Sequence, residues 1–549
     1  MSLPLEQRAE VAARLSRETF DLVIIGGGIN GAGIARDAAL RGYSVALLEQ
    51  DDFAFGTSSR SSRLIHGGLR YLEHGRVRLV FESVSERSRL SHNARHIVRP
   101  LPFIFPVYKG ERSLLTMDLG LWIYDALALF RNYRDHESLT PLGVSDLVPG
   151  VRMEGLKGGV LYYDYATDDA RLVLENVLAA RALGGALLSY CRVEGLQRKN
   201  GRVEAAVARD RLTGETITVR GRVVICAAGP WTDQVLALAD NKERYLRPTK
   251  GVHFVVPRAR LRLGASLVMR HPQDGRVLFA LPYHEHSVIG TTDTDFDEDP
   301  GEVRATAGDV RYLLDAAAHY FPTANLCADD VVSTWAGVRP LLDPGDVTDP
   351  SAVSREHRIE ARRDGIVVIA GGKLTTYRRM VEECVDVAAP LLDAAGAVPR
   401  RHRPTHRLPL PGAQGLETDA DLDALAGRVA AALSDPGVGQ HLAYTYGVRA
   451  SAIAALAEAD PSAAHPIVEG LPFVWGEVTF AAREELALTL ADALSRRTQI
   501  LYRAADQGLG AAEEAASRMG RELGWDSAEQ SRQVQAYREV VAANRSWQA

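Results

Sequence analysis

Residues 21–49 contain a strand, a glycine turn, a helix and a second strand in unbroken succession, and few folds accept that order at that spacing. The apolar run Leu22, Val23, Ile24, Ile25 is short and β-branched, as expected of a parallel strand buried on both faces, and it stops at Gly26. Gly26, Gly28 and Gly31 supply G-x-G-x-x-G. The first allows the tight turn, the second lets a pyrophosphate approach bare backbone, and the third lets the helix pack closely on the strand. Phosphate charge then meets the unpaired N–H groups at the helix N-terminus. Glu49 ends the second strand, where a carboxylate accepts from ribose hydroxyls and repels a 2′-phosphate. The unit is a dinucleotide site, and by itself it does not separate NAD from FAD.

At 549 residues the chain exceeds one simple core and points to about three domain-sized units. A hydrophobic fraction of 46% with 24% charged residues is ordinary for a globular protein, and a net charge of −6 gives no overall field for nucleic acid. Cys191, Cys226, Cys327 and Cys384 are scattered without a C-x-x-C pair. That pattern argues against a metal site or disulfide framework and fits a reducing cytoplasm. Residues 1–20 carry Glu6, Arg8, Glu10, Arg14, Arg17 and Glu18 and lack the apolar core of a signal peptide. No run reaches the roughly 18 apolar residues of a spanning helix, and the nearest, residues 114–130, contains Asp118 and Asp125. The expectation is a protein that crosses no membrane but can lie on one.

Further along, residues 83–94 read as a polar helix, and residues 101–107, interrupted by Pro102 and Pro106, as an edge strand or extended segment. Residues 168–183 have helical spacing, with Gly184-Gly185 as the stop. Short strands follow at 187–193, 203–209, 216–219 and 223–227, with Asn200-Gly201 as a hairpin turn. Alternation at 253–256, 277–281 and 287–290 reads as an antiparallel sheet. Residues 366–370 form another buried strand, running into Gly371-Gly372-Lys373-Leu374-Thr375-Thr376 and a helix. Pro, Arg and His dominate a linker at 398–412. Ala-rich helical patterns at 422–433, 481–493 and 527–543 follow it.

Four segments carry candidate chemistry. Residues 56–62 (Gly-Thr-Ser-Ser-Arg-Ser-Ser) read either as hydroxyls and amides beside a diphosphate or as a solvated loop. Residues 226–231 end a strand with small residues, including Gly229, where backbone closely approaches a cofactor or another strand. The turn at 371–377 offers helix N–H groups to an anionic centre, with Lys373 adding a full charge. Residues 64–73 pack His66, two glycines, Arg70 and Tyr71 closely together. By residue type alone His66 reads more readily as a satisfied core or surface histidine, Lys373 as a surface lysine, and Arg339 and Arg355 as surface arginines.

Taken together, the fingerprint, residues 57–71, Trp335 to Pro340, Ser354-Arg355 and residues 371–378 resemble the FAD-dependent glycerol-3-phosphate dehydrogenases, in order and spacing, over residues 21–378. The resemblance implies an α/β FAD-binding Rossmann-type domain, an α+β antiparallel-sheet substrate domain and an all-α C-terminal domain. We assign these to residues 1–100, 168–250 and 345–397 (FAD-binding), 101–167 and 251–344 (substrate-binding cap), and 413–549 (helical). It implies FAD held by Gly26, Gly28, Gly31, Glu49, Thr57, Ser58, Ser59, Val193, Gly229, Gly372, Lys373, Leu374 and Thr375. It also implies a substrate site of His66, Arg70, Tyr71, Arg339, Arg355 and Lys373.

The implied reaction is oxidation of sn-glycerol 3-phosphate to dihydroxyacetone phosphate, hydride moving from carbon 2 to flavin N5. Guanidinium forks suit phosphate oxygens, so Arg70, Tyr71 and Arg355 are assigned to the phosphate, and Arg339 and Lys373 to the reacting end. Arg339 does not deprotonate, whereas histidine can titrate near neutrality, so His66 is the first choice of base, with a water or a depressed-pKa lysine as alternatives. Membrane quinone is the expected acceptor, reached from a peripheral position on the inner face of the cell membrane, with a homodimer expected. Leu114, Leu115, Leu119, Leu121, Trp122 and Ile123, with Arg131 and Arg134, read either as an interfacial segment or as a buried helix. Alternatives are an oxygen-using oxidase, an amino-acid or hydroxy-acid oxidase of the same fold, and a flavin-binding regulatory or assembly protein without turnover.

Overall fold

The strand Thr19–Ile25 alternates its side chains between two apolar layers, and both layers are filled. In the computed structural model, which describes residues 4–68, 77–110, 117, 120–122, 124, 133–343, 357–397 and 405–548, this strand lies inside an eight-stranded sheet. It pairs in parallel with Val45–Leu48 on one side and with Thr216–Cys226 on the other. Leu22, Ile24, Leu47, Val223, Ile225, Val367 and Ile369 face the helices Ile29–Leu40, Asp169–Ala182 and Tyr377–Ala394. Val23, Ile25, Ala46, Leu48, Val224, Ile366 and Val368 face the opposite layer. Burial on both sides explains why these strands read as continuous apolar runs, each Val, Leu or Ile contributing about 1.5–3 kcal/mol relative to exposure.

Two details of this sheet differ from the sequence reading. Residues 187–193 are two strands, Ala186–Leu188 and Cys191–Lys199, because the chain turns at Tyr190, whose φ is 56°. Residues 216–227 are one strand, Thr216–Cys226, which pairs antiparallel with Arg202–Asp210 at its start and parallel with Thr19–Ile25 towards its end. The Asn200-Gly201 turn is present, with both residues at positive φ (51° and 80°).

The second sheet has ten strands and is antiparallel except where Ser266–Arg270 pairs with Arg99–Tyr108. Arg99–Tyr108 was expected at an edge, yet it lies inside the sheet, between Ser266–Arg270 and Leu156–Ala166. Pro100, Pro102 and Pro106 fall at alternate positions, so their missing N–H groups share one side of the strand. The pairing to Ser266–Arg270 is confined to Phe103 and Ile104, between the prolines. Period-two alternation gives this sheet two unlike faces. Ile104, Leu161, Val252, Phe254, Leu267, Leu278 and Ile289 pack on the helix Ala307–Tyr320, while Phe103, Tyr162, His253 and Phe279 point the other way.

The C-terminal helices include Asp419–Leu433, Trp475–Glu484 and Ser527–Arg545. The helix expected over 481–493 stops at Glu484. Leu486 adopts φ 59°, and the Asp492 carboxylate accepts the N–H groups of Leu488 and Thr489 (2.9 and 3.0 Å) before a π-helical turn, Asp492–Arg497. Residues 405–412 run along the first sheet's helices: Leu410 N–H donates to the Asn93 carbonyl (2.7 Å) and Gly412 N–H to Glu175 (2.7 Å). No helix among the described residues is long and apolar enough to cross a membrane.

The close packing of the first helix is directly testable. A Cβ at Gly31 would stand 1.8 Å from the Gly26 carbonyl oxygen, whereas one at Gly427, on Asp419–Leu433, meets nothing within 4 Å. Gly31→Ala is expected to destabilise the apoprotein by about 1–3 kcal/mol, and Gly427→Ala to be neutral or stabilising by up to about 1 kcal/mol, in denaturant unfolding.

Candidate functional site

A cavity of about 870 Å³ lies where the two sheets meet, within the range of ligand sites. Its floor comes from the carboxyl ends of the parallel strands, where the chain leaves each strand for a turn. Gly26 and Gly28 line it, and Gly28 precedes the helix Ile29–Leu40 without any side chain of its own to cap that helix. The Ser58 hydroxyl accepts the Ile29 N–H instead (3.0 Å), and a Cβ at Gly28 would stand 3.1 Å from it.

Glu49 is buried in the cavity wall, with no basic partner among the described residues. Its carboxylate accepts the N–H of Gly27 (2.6 Å) and of Asp51 (2.9 Å), and burial pushes its pKa up to about 7. Val193 and Gly229 line the cavity alongside it. Thr57 is on the wall, but its hydroxyl donates to the Val338 carbonyl. Gly31 and Ser59 are buried and form no part of the wall; Gly31 serves the helix–strand contact described above.

At another part of the wall, Gly372, Lys373, Leu374 and Thr375 follow the strand Ile366–Gly371. Gly371 and Gly372 take φ of 75° and 88°, a region open to glycine, and this turns the chain across the cavity before the helix Tyr377–Ala394. The buried Thr375 hydroxyl both accepts the His66 N–H and donates to the His66 carbonyl (3.1 Å each). Asp164 accepts the neighbouring Gly67 N–H (3.1 Å) and is itself held by Arg87 and Tyr124. Thus the backbone around His66 is fixed from two sides.

Arg339 enters from the strand Ser333–Leu342. Its guanidinium donates to Asp293 (3.1 Å), the Thr292 carbonyl (3.2 Å) and the Thr291 hydroxyl (2.9 Å). A Cβ at Gly251 would lie 2.3 Å from this guanidinium, so the bare backbone there makes room for it. Arg60, Arg192, Arg270, Arg339 and Lys373 face the cavity against the carboxyls of Glu49 and Asp164, a balance that suits phosphate groups. Arg70, Tyr71 and Arg355 lie outside the described residues.

The sequence reading missed His253 and the aromatic wall of Phe103, Phe105, Tyr162 and Phe279. His253 bonds the Ser62 hydroxyl through Nε2 (2.8 Å) and stacks on Trp335, with centroids 5.1 Å apart. Burial, then the nearby Arg339 and Arg63, push its pKa well below the ordinary histidine value. The signal was the alternation itself: Gly251 and His253 share a face of their strand opposite Val252 and Phe254.

Residues 21–378 match the family described as FAD dependent oxidoreductase, and residues 403–530 match the C-terminal domain of alpha-glycerophosphate oxidase. Glycerol-3-phosphate dehydrogenase 2 of Mycobacterium tuberculosis is 38% identical, the alignment covering 98% of this chain and 90% of that protein. Glycerol-3-phosphate dehydrogenase of Synechocystis is 37% identical, with 96% and 98% covered. The crystal structure of glycerol-3-phosphate dehydrogenase from Bacillus halodurans complexed with FAD superposes with a TM-score of 0.81 at 32% identity, covering 99% of this chain and 98% of that one. Fold, cavity and comparisons define an FAD-dependent oxidoreductase. Within that class, the chain belongs to the glycerol-3-phosphate dehydrogenase family.

The glycine cradle, the buried Glu49 carboxyl and the cation-rich wall fit FAD. Because the folded Glu49 pKa (about 7) lies above the value of 4.5 for an exposed carboxyl, apoprotein stability falls as pH rises through that window, by up to about 1.4 kcal/mol per pH unit. Hydroxyl donors favour the ionised carboxylate, so FAD affinity is expected to rise over the same window and level off above it. Glu49→Gln should flatten both slopes, measured by unfolding and by FAD titration of apoprotein between about pH 5 and pH 8.

Proposed function

We propose that this enzyme oxidises sn-glycerol 3-phosphate at carbon 2 to dihydroxyacetone phosphate. The observation that carries the reading is the convergence of His66, Arg339 and Lys373, from three distant parts of the chain, on one cavity framed by the glycine turns. When bound, FAD supplies the acceptor for the hydride that leaves carbon 2. His66 takes the hydroxyl proton on an imidazole nitrogen, while its backbone is held still by Thr375. Arg339, already oriented by Asp293 and Thr291, stabilises negative charge as it develops on the carbon 2 oxygen, and Lys373 adds a second positive charge. Arg70, Tyr71 and Arg355 hold the phosphate. The aromatic wall keeps water from the reacting carbon.

A second reading of the base is favoured by one observation: His253 and Ser62 are hydrogen-bonded to each other (2.8 Å) and both line the cavity. In that reading Ser62 and His253 relay the proton and His66 only positions the substrate.

For the acceptor we propose a membrane quinone, reached by peripheral attachment of a homodimer to the inner face of the cell membrane. Exposed apolar side chains at Val77, Phe81, Trp122 and Tyr133 support an interfacial surface. Of the apolar segment singled out in the sequence, Leu121 is buried and Trp122 is 55% exposed, while Leu114, Leu115, Leu119, Ile123 and Arg131 lie outside the described residues.

Anaerobic mixing of the holoenzyme with glycerol 3-phosphate is expected to bleach the flavin band near about 450 nm. Glycine, D-alanine and 2-hydroxyglutarate are expected to leave it unchanged. Persistence of the oxidised band with every substrate would favour a non-catalytic flavoprotein. Reduction by an amino or hydroxy acid would favour an oxidase of the same fold. His66→Asn should slow reduction about 10²- to 10⁴-fold with little change in substrate Kd, and Arg355→Met should raise that Kd at least about 10-fold. If His253→Asn shows the rate loss and His66→Asn does not, the base is His253.

A further inference from the structure

The alanine-rich C-terminal region departs from regular helix over residues 485–499, and the departure has a geometric purpose. The π-helical turn Asp492–Arg497 is flanked by Leu486 and Gln499, which take φ of 59° and 65°, a region that residues other than glycine rarely adopt. In a regular helix successive side chains diverge by about 100°, so two neighbours do not reach one small target. Here they do. Arg496 Nε lies 2.6 Å from Asp52 Oδ2, and Arg497 grips both oxygens of the same carboxylate at 2.6 and 2.9 Å. Asp52 is fully buried and Arg497 is 2% exposed.

Asp52 stands three residues past Glu49, in a segment pressed against the glycine turn. Asp51 N–H donates to the Glu49 carboxylate (2.9 Å), and Ala54 N–H donates to the Gly27 carbonyl (3.1 Å). The Phe53 ring fills the space beside Gly27, 2.7 Å from where a Cβ would be. A second bracket closes the same unit: Arg496 bonds Asp492 (2.6 Å), Tyr190 donates its hydroxyl to Asp492 (2.7 Å), and Tyr190 N–H donates to the Asp51 carbonyl (2.8 Å). Residues 49–55 are therefore a slab with the glycine turn on one face and two C-terminal guanidinium groups on the other.

We infer that Arg496 and Arg497 are positioning residues for the cofactor: by fixing Asp52 they hold residues 49–55 so that Glu49 presents its carboxylate to the adenosine ribose. Neither arginine nor Asp52 lines the cavity, so they act through the slab and touch no part of FAD. The inference rests on the reading of Glu49 as the ribose partner. It gives the C-terminal region a role in cofactor retention, distinct from the chemistry at His66.

The test uses apoprotein of the full chain carrying Asp52→Asn or Arg496→Met, titrated with FAD and, separately, with ADP, which carries the ribose end without the flavin ring. The expected result is a rise in both dissociation constants by the same factor, at least about 10-fold, as for residues that orient a ligand-binding group from behind. At saturating FAD, the rate of flavin reduction by glycerol 3-phosphate should stay within about two-fold of the unmodified enzyme. Unchanged affinities in these variants, with Glu49→Gln weakening both ligands, would overturn the inference and leave the arginines as interdomain ties only. Unchanged affinities in Glu49→Gln as well would overturn the ribose reading, and the inference with it. Hydrogen exchange on the unmodified apoprotein covers the case of variants that do not fold. ADP should protect residues 49–55 and 492–499 together, and protection of 49–55 alone would overturn the inference.

Discussion

The parallel register between Thr19–Ile25 and Val45–Leu48 governs the geometry of the cavity. Ile25 pairs with Leu48, so both strands end at the same level and the glycine turn emerges beside Glu49. The Gly26 N–H still reaches the Leu48 carbonyl (2.8 Å), and one residue on, the Gly27 N–H turns to the Glu49 carboxylate (2.6 Å). Glu49 in turn is tied by its own backbone to Leu188 and Cys191, the next strands out. A slip of one residue would exchange the two apolar faces of the strand and move the carboxylate off the glycines. Register is thus set by core burial, and the cofactor site inherits it.

The second sheet uses the same alternation differently. Its strands have one face committed to the helix Ala307–Tyr320, and the other face roofs the cavity with Phe103, Tyr162, Phe279 and His253. The C-terminal helices then brace this roof from behind. Gln499 accepts from Arg63, whose guanidinium lies 4.8 Å from the Trp335 ring centroid, and Trp335 carries the His253 imidazole. Ser333 donates to the Tyr502 carbonyl (2.8 Å) on the strand that bears Arg339. A helical region that supplies none of the residues lining the cavity nonetheless braces Trp335, on which His253 stacks, and the strand that carries Arg339.

What could be read in the sequence follows from how local each feature is. The strand–turn–helix at Gly26 to Gly31 and the hairpin at Asn200-Gly201 depend on backbone freedom and on a few neighbours, so residue identity was enough. Glu49 is singled out by its spacing to the glycines, and the structure adds that it is buried, with no cation beside it among the described residues. The interior position of Arg99–Tyr108 was not legible, because the prolines were weighed without knowing that the partner strand pairs only at Phe103 and Ile104. The break at Leu486 was hidden for a related reason. Alanine-rich sequence favours helix locally, and what overrides it is the buried Asp492 carboxylate together with the contact of Arg496 to Asp52, 444 residues away in the chain. His253 escaped notice because a lone histidine on an alternating strand carries no local mark of which face meets a cavity.

The charges of the site follow a consistent rule. Two cations are pinned by several partners at once: Arg339 by Asp293, Thr291 and Thr292, and Arg87 by Asp164 and Tyr124 beneath Gly67. Such partners cost the arginine little of its charge, since a guanidinium does not titrate, but they remove its freedom to follow the substrate. A pre-oriented guanidinium stabilises charge that develops at one place more than charge already present in solution, and that difference is what accelerates a reaction. Histidine obeys the opposite logic. His253 is buried, and burial, then the charges of Arg339 and Arg63, push its pKa well below the ordinary histidine value. Burial and the same two arginines therefore favour the neutral imidazole and oppose its taking up a further proton.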